Sequence, residues 1–189
     1  PLPQTPKGQT MQRHGGKILI DQLVLNGVDR VFSVPGESFL AALDALHDAD
    51  IPNIVCRHEG GAAMMAEASG KLTGRPGIAF VTRGPGATNA SAGIHVARQD
   101  STPMILFVGQ IDTGHRDREA FQEVDFRGMF APLAKWVAEI DDTARIPEYV
   151  ARAFAVATSG RPGPVVLSLP ENVLSAMADT SDAMPPRRL

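Results

Sequence analysis

Cysteine is nearly missing from this sequence: Cys56 stands alone among 189 residues. One cysteine can make no internal disulfide, and no Cys/His spacing typical of a zinc site occurs. Long apolar runs are missing as well. The longest, 104–108, falls far short of the roughly 20 residues that cross a bilayer. No charged segment followed by an apolar one opens the chain, so no secretory signal is read. Basic charge is not in excess: 18 Lys and Arg stand against 21 Asp and Glu, a net charge of −3, and the basic residues form no stripe. The electrostatic footprint of a nucleic-acid binder is therefore absent. The expectation is a cytoplasmic protein with neither membrane nor nucleic acid as partner.

What the sequence does have is 43% hydrophobic residues, enough for a real core at this length, arranged in alternation. Short continuous apolar runs at 31–34, 54–56, 78–81, 104–108, 136–140 and 165–169 read as strands. Helical spacing separates them: 18–25, stopped by Asn26-Gly27; Phe39, Leu40, Leu43 and Leu46, with Ser38 as N-cap; 60–72; 87–99; and Ile146, Val150, Phe154 and Ala157. Continuous apolar strands alternating with helices predict one α/β domain, a roughly six-stranded parallel sheet with helices on both faces. Residues 1–13 read as a disordered lead, 14–175 as the domain, and 176–189 as a linker towards further domains, with a possible short helix beginning at 171.

Ligands of parallel α/β sheets sit outside the carboxyl ends of the strands. Those ends read "VPGES" (34–38), "RHEGG" (57–61), "TRGPGATN" (82–89), "GQIDTG" (109–114) and "LPEN" (169–172). Gly84 and Gly86 invite a phosphate loop, but position 89 is Asn89, so the dinucleotide pattern is incomplete, and a tight turn bringing backbone close to a ligand or partner is the better reading. Glu59 has two readings. An acid in the first helical turn complements the helix dipole. That leaves Gly60 and Gly61 unexplained, because each costs about 1 kcal/mol in a helix; they make sense if a group must approach the helix start closely. The polar stretch around 110–130 is longer than an ordinary connection, which marks it as functional or mobile. His14 and His47 read as surface, His95 as surface or packing, and no histidine joins a catalytic set. Met64 and Met65 read as core filler, and Phe121 and Gln122 as loop packing.

Taken together, "VPGES", "RHEGGAAMMAEASGKLTGRPG", "TRGPGATN", "DSTPMILFVGQ", "AFQE" and "TSGRPGPVVLSLPENV" resemble, in order and spacing, the N-terminal pyrimidine-binding domain of the acetolactate synthase family, thiamine diphosphate-dependent enzymes acting on 2-keto acids. The resemblance implies that Glu59 hydrogen-bonds ring nitrogen N1′ of the aminopyrimidine and so acts catalytically. It implies further that Pro35 and Gly36 lie near the reactive ring, that Pro85, Asn89 and Gln122 lie beside the cofactor, and that Lys135 stands at the substrate channel. Arg161 matches an arginine that contacts FAD in members keeping a flavin. The diphosphate and Mg2+ belong to a C-terminal domain not represented here, so no metal ligand is expected in this chain. A homodimer or tetramer is implied, with 60–72 and 87–99, rich in small residues, as pairing faces. Two departures bear on substrate: "PGES" stands where the family usually has "PGGA", and "AEASGK" (66–71) where it has "ADGYAR". Another keto-acid decarboxylase or acyl-transferring carboligase therefore stays open. So do a ligand-binding module without chemistry and a dimerisation domain.

Overall fold

The computed structural model describes residues 12–184. The expected lead falls almost wholly outside them. Its last residues do not: β1 (Arg13–His14) pairs antiparallel with β8 (Met177–Ala178), beyond the 175 boundary drawn from composition. Arg13 binds Asp21 and Asp182, so both ends of the described chain are tied to helix α1 (Gly15–Leu25). His14 caps α1, accepting the Lys17 N–H on Nδ1. It is a half-buried capping residue, not simply a surface one.

The predicted parallel sheet is present. Strands β2 (Val31–Ser33), β3 (Asn53–Val55), β4 (Gly77–Val81), β5 (Met104–Gln110), β6 (Trp136–Glu139) and β7 (Pro164–Pro170) form one six-stranded sheet in the order β3-β2-β4-β5-β7-β6. Every pairing in it is parallel. Side chains of the central strands alternate between the faces. Ile78, Phe80, Ile105 and Phe107 join a core closed by α1, α2 (Leu40–His47), α6 (Ile146–Thr158) and α7 (Glu171–Ser175). Ala79, Val81, Leu106 and Val108 join a second core under α3 (Glu59–Thr73), α4 (Pro85–Gln99) and α5 (Phe126–Phe130).

Between α3 and α4 the small residues meet each other. A Cβ on Gly93 would stand 2.5 Å from that of Ala63, so the faces expected to pair two copies pack within the chain. The large apolar side chains that α3 leaves to solvent are Met64, Met65 and Leu72. The methionines are thus not core filler: the helix buries its Ala62, Ala63 and Ala66 side against the sheet, which turns positions 64 and 65 outward.

Strand order reverses at β2: β3 lies on one side of it and β4 on the other. The crevice between the carboxyl ends of β2 and β4 is the place where this topology opens to a ligand.

Candidate active site

Three glycines let the loops close over that crevice. A Cβ on Gly36 would lie 2.5 Å from Thr82 Cβ, one on Gly109 1.9 Å from Ser38 Oγ, and one on Gly86 2.8 Å from Thr82 Cγ2. Ser38 is not the N-cap expected of it. A short 3-10 turn, Glu37–Phe39, precedes α2, whose N-cap is Phe39 without a side-chain bond. Ser38 is instead drawn inward, with its hydroxyl 2.8 Å from that of Thr82. Tying the turn after β2 to the turn after β4 outweighs capping.

Glu59 opens α3. His58 is the N-cap and accepts the Gly60 N–H on Nδ1 at 3.1 Å, so it serves the helix start. Half-buried Glu59 accepts a hydrogen bond from Asn89 Nδ2 on Oε2 at 2.9 Å. A Cβ on Gly86 would stand 3.5 Å from Oε1. Among the described residues nothing donates a hydrogen bond to Oε1. Gly60 is crowded by its own cap and by the Asn89 carbonyl, whereas a Cβ on Gly61 meets only open space. One carboxylate oxygen is fixed by Asn89, and the other lies beside Gly86, where the missing side chain leaves it uncovered. A carboxylate oxygen left without a donor can share a proton with a donor group brought to it.

Gly84 takes φ +58°, and a Cβ on it would stand 2.7 Å from Gln122 Cβ. The "TRGPG" turn is thus tight, but what the glycine admits is the chain's own long loop rather than the ligand or partner expected there. Pro85 follows as the first residue of α4, where its missing N–H costs nothing. Gln122 itself has φ +62°, and Asp117 and Glu119 share the left-handed region at +61° and +52°. Such strain persists only where surroundings hold it. Here Glu123 accepts the N–H groups of Asp117 at 2.7 Å and Ala120 at 2.9 Å, which also hold its carboxyl below the ordinary range. Phe121 is 73% exposed, so it does not pack the loop.

Glu59, Asn89, Pro85, Gly36 and Gln122, with Pro35 beside them, thus gather at the carboxyl edge. Arg161 and Lys135 do not: each precedes a strand and lies at the amino edge. Arg161 donates to Ser101 Oγ and to the carbonyls of Arg98 and Gln99, closing the end of α4. Lys135 donates to the carbonyls of Val156 and Ser159 at the end of α6. Burial, with Arg98 nearby, lowers its ammonium below the ordinary lysine value.

Sequence reasoning passed over Arg83. Its side chain is 9% exposed, and it donates to Glu37 at 3.0 Å, to Glu171 at 2.6 Å and to the Phe121 carbonyl at 3.2 Å. The available signal was charge: Glu37, Arg83 and Glu171 each occupy a strand's carboxyl end. Among the described residues no group of three or more His, Cys, Asp or Glu is placed to hold a metal ion. No helix among them is long and apolar enough to cross a membrane.

A parallel sheet with a switch point at the carboxyl ends of β2 and β4 is the architecture of a ligand-binding α/β domain. Residues 13–129 match the family "Thiamine pyrophosphate enzyme, N-terminal TPP binding domain", and the chain belongs to that family. It is similar to the acetolactate synthase of Bacillus subtilis (strain 168), 37% identical over 172 residues, covering 91% of this chain and 30% of that protein. The mitochondrial acetolactate synthase catalytic subunit of Saccharomyces cerevisiae is 40% identical over 164 residues, 86% of this chain and 24% of the relative. The isozyme 3 large subunit of Escherichia coli (strain K12) is 41% identical over 162 residues, 85% and 28% respectively. The chain thus spans between 24% and 30% of the length of these three relatives.

Proposed function

We propose that the full-length protein is a thiamine diphosphate-dependent enzyme that decarboxylates a 2-keto acid and joins the acyl unit to a second carbonyl compound, as an acetolactate synthase does. The observation that carries the reading is the Glu59 carboxylate, held through Oε2 by Asn89 while Oε1 lies beside Gly86 with no hydrogen-bond donor among the described residues. When bound, the cofactor supplies the electron sink for decarboxylation. This chain's part is to hold one proton between Oε1 and the ring nitrogen, to orient the ring against Gly86 and Gly36, and to keep water out through the Gln122 segment. Gln122, Pro35, Pro85 and Asn89 are binding residues in this reading.

Mg2+ and the diphosphate would be held by another domain. A flavin at Arg161 would lie at the opposite edge and take no part in the Glu59 chemistry. The exposed Met64, Met65 and Leu72 on α3 support assembly into a homodimer or tetramer, and a cytoplasmic location belongs to the same proposal. Residues 1–189 alone should bind the cofactor feebly, lacking ligands for its charged end.

The test uses full-length protein with thiamine diphosphate, Mg2+ and pyruvate. Cofactor binding by calorimetry together with carbon dioxide release is the expected result. Tight cofactor binding without decarboxylation would favour a ligand-binding module.

A further inference from the structure

The guanidinium of Arg83 is fixed on two sides and loosely partnered on the third. Nε–H donates to the Phe121 carbonyl at 3.2 Å and Nη1 to Glu171 Oε1 at 2.6 Å. These bonds aim the fork. Nη2 donates to Glu37 Oε1 at 3.0 Å, and the Glu37 side chain is 67% exposed against 38% for Glu171. Water competes for the open Glu37 carboxylate but hardly for the buried guanidinium, so Glu37 is the partner more easily exchanged.

Arg83 is next in the chain to Thr82, which touches Ser38 and whose Cγ2 lies against Gly86, the glycine facing Glu59. The cation therefore lies on the same turn as the candidate cofactor site. Two carboxylates on one guanidinium leave an excess negative charge. An incoming carboxylate cannot simply add to them; it must exchange with one, and Glu37 is the exposed, longer-bonded one.

We propose that Arg83 is the receptor for the carboxylate of an anionic substrate, and that Glu37 occupies its place until the substrate displaces it. The ligand class is a small 2-keto acid, which rests on the function proposed above. The recognition chemistry is a planar fork meeting a planar carboxylate.

The test is equilibrium binding to full-length protein of pyruvate and of its uncharged methyl ester, by calorimetry. Wild type should prefer the acid. Glu37→Gln should tighten pyruvate by about two- to fivefold, the weight of one exposed ion pair, and leave the ester unchanged. Arg83→Met should abolish the preference. That variant strands Glu171 and can unfold, so Glu37→Gln, on an exposed side chain, decides. Unchanged or weaker pyruvate binding by Glu37→Gln overturns the proposal and makes Arg83 a clamp between loops; so does equal affinity of wild type for acid and ester. Thiamine diphosphate binding measured on the same samples separates the two readings. Its absence fails the enzyme assignment, whereas its presence without an acid preference fails only Arg83.

Discussion

At the amino edge of the sheet, Arg75, Lys135 and Arg161 give their charge to backbone carbonyls at or near the ends of α1, α6 and α4. At the carboxyl edge, Arg83, Glu37, Glu171 and Glu59 bond chiefly side chains and one another, with a single backbone partner, the Phe121 carbonyl, on Arg83. The difference follows from helix ends. In this parallel sheet the helices lead from the carboxyl edge of one strand back to the amino edge of the next. Their unpaired carbonyls therefore collect at the amino edge and consume cations. Helix starts collect at the other edge, where N–H groups and bare glycines leave room for a ligand. A cation at the amino edge closes helix ends; a charge at the carboxyl edge pairs across strand turns, and the function proposed above draws on it.

The sharpest way to break this contrast is at Glu59. In full-length protein, Glu59→Gln should slow C2 hydrogen–deuterium exchange of bound thiamine diphosphate by about 10²–10⁴-fold, the range for a lost acid–base group. Its effect on unfolding should stay near 0.3–1 kcal/mol, the worth of a helix-start acid. Equal exchange rates in the two proteins would reduce Glu59 to a dipole partner and erase the functional half of the comparison.

Packing at the amino edge should be unforgiving in the complementary way. A Cβ on Gly77, the first residue of β4, would stand 1.8 Å from the Ala66 carbonyl oxygen. Gly77→Ala should therefore destabilise by about 1–3 kcal/mol through overpacking, read as a shift in the denaturation midpoint. Wild-type stability would show that α3 can move off the sheet freely.

Arg161→Ala should cost roughly 0.5–1.5 kcal/mol from lost helix-end hydrogen bonds, towards the lower end because the group is exposed. C2 exchange should stay at the wild-type rate. A slowed exchange would mean that the two edges communicate, and the division drawn here would fail.

The smallest effect concerns the loop carrying Gln122. The N–H groups of Asp117 and then Ala120 hold the Glu123 carboxyl below its ordinary value. A lowered carboxyl contributes order that is present above the unfolded value, about 4.3, and is lost as pH falls through the folded one. Amide shifts of Asp117 and Ala120 should stay constant at neutral pH, move together on acidification below about pH 4, and lose this titration in Glu123→Gln. Movement at higher pH would show that another group holds the loop.

The strands were legible because each is a short continuous apolar run, which a sheet buried on both faces demands. Glu59 stood out for a related reason: two glycines behind an acid at a helix start run against helix propensity, and the Glu59 proposal rests on that signal together with the Asn89 contact. Arg83 was legible only as a charge at a strand's carboxyl end, not as a paired one. Its partners lie 46 and 88 residues away in the chain, and no local pattern links them. Ser38 misled for the same reason, since a serine before an apolar helix is a sound capping signal until Thr82 arrives from another strand. The outward turn of Met64 and Met65 likewise depended on which stripe of α3 the sheet received.

By itself, then, the sequence determined the six strands of the parallel sheet and the long helices around it, but not β1, β8 or α5, because hydrophobic period and turn chemistry are local. Tertiary structure alone decided which charged groups meet. It set Arg83 between Glu37 and Glu171, gave Asn89 to Glu59, and sent Arg161 and Lys135 to the far edge as helix-end partners. Those pairings arise where the sheet brings strand ends together across long stretches of chain, and a linear pattern carries no information about that distance.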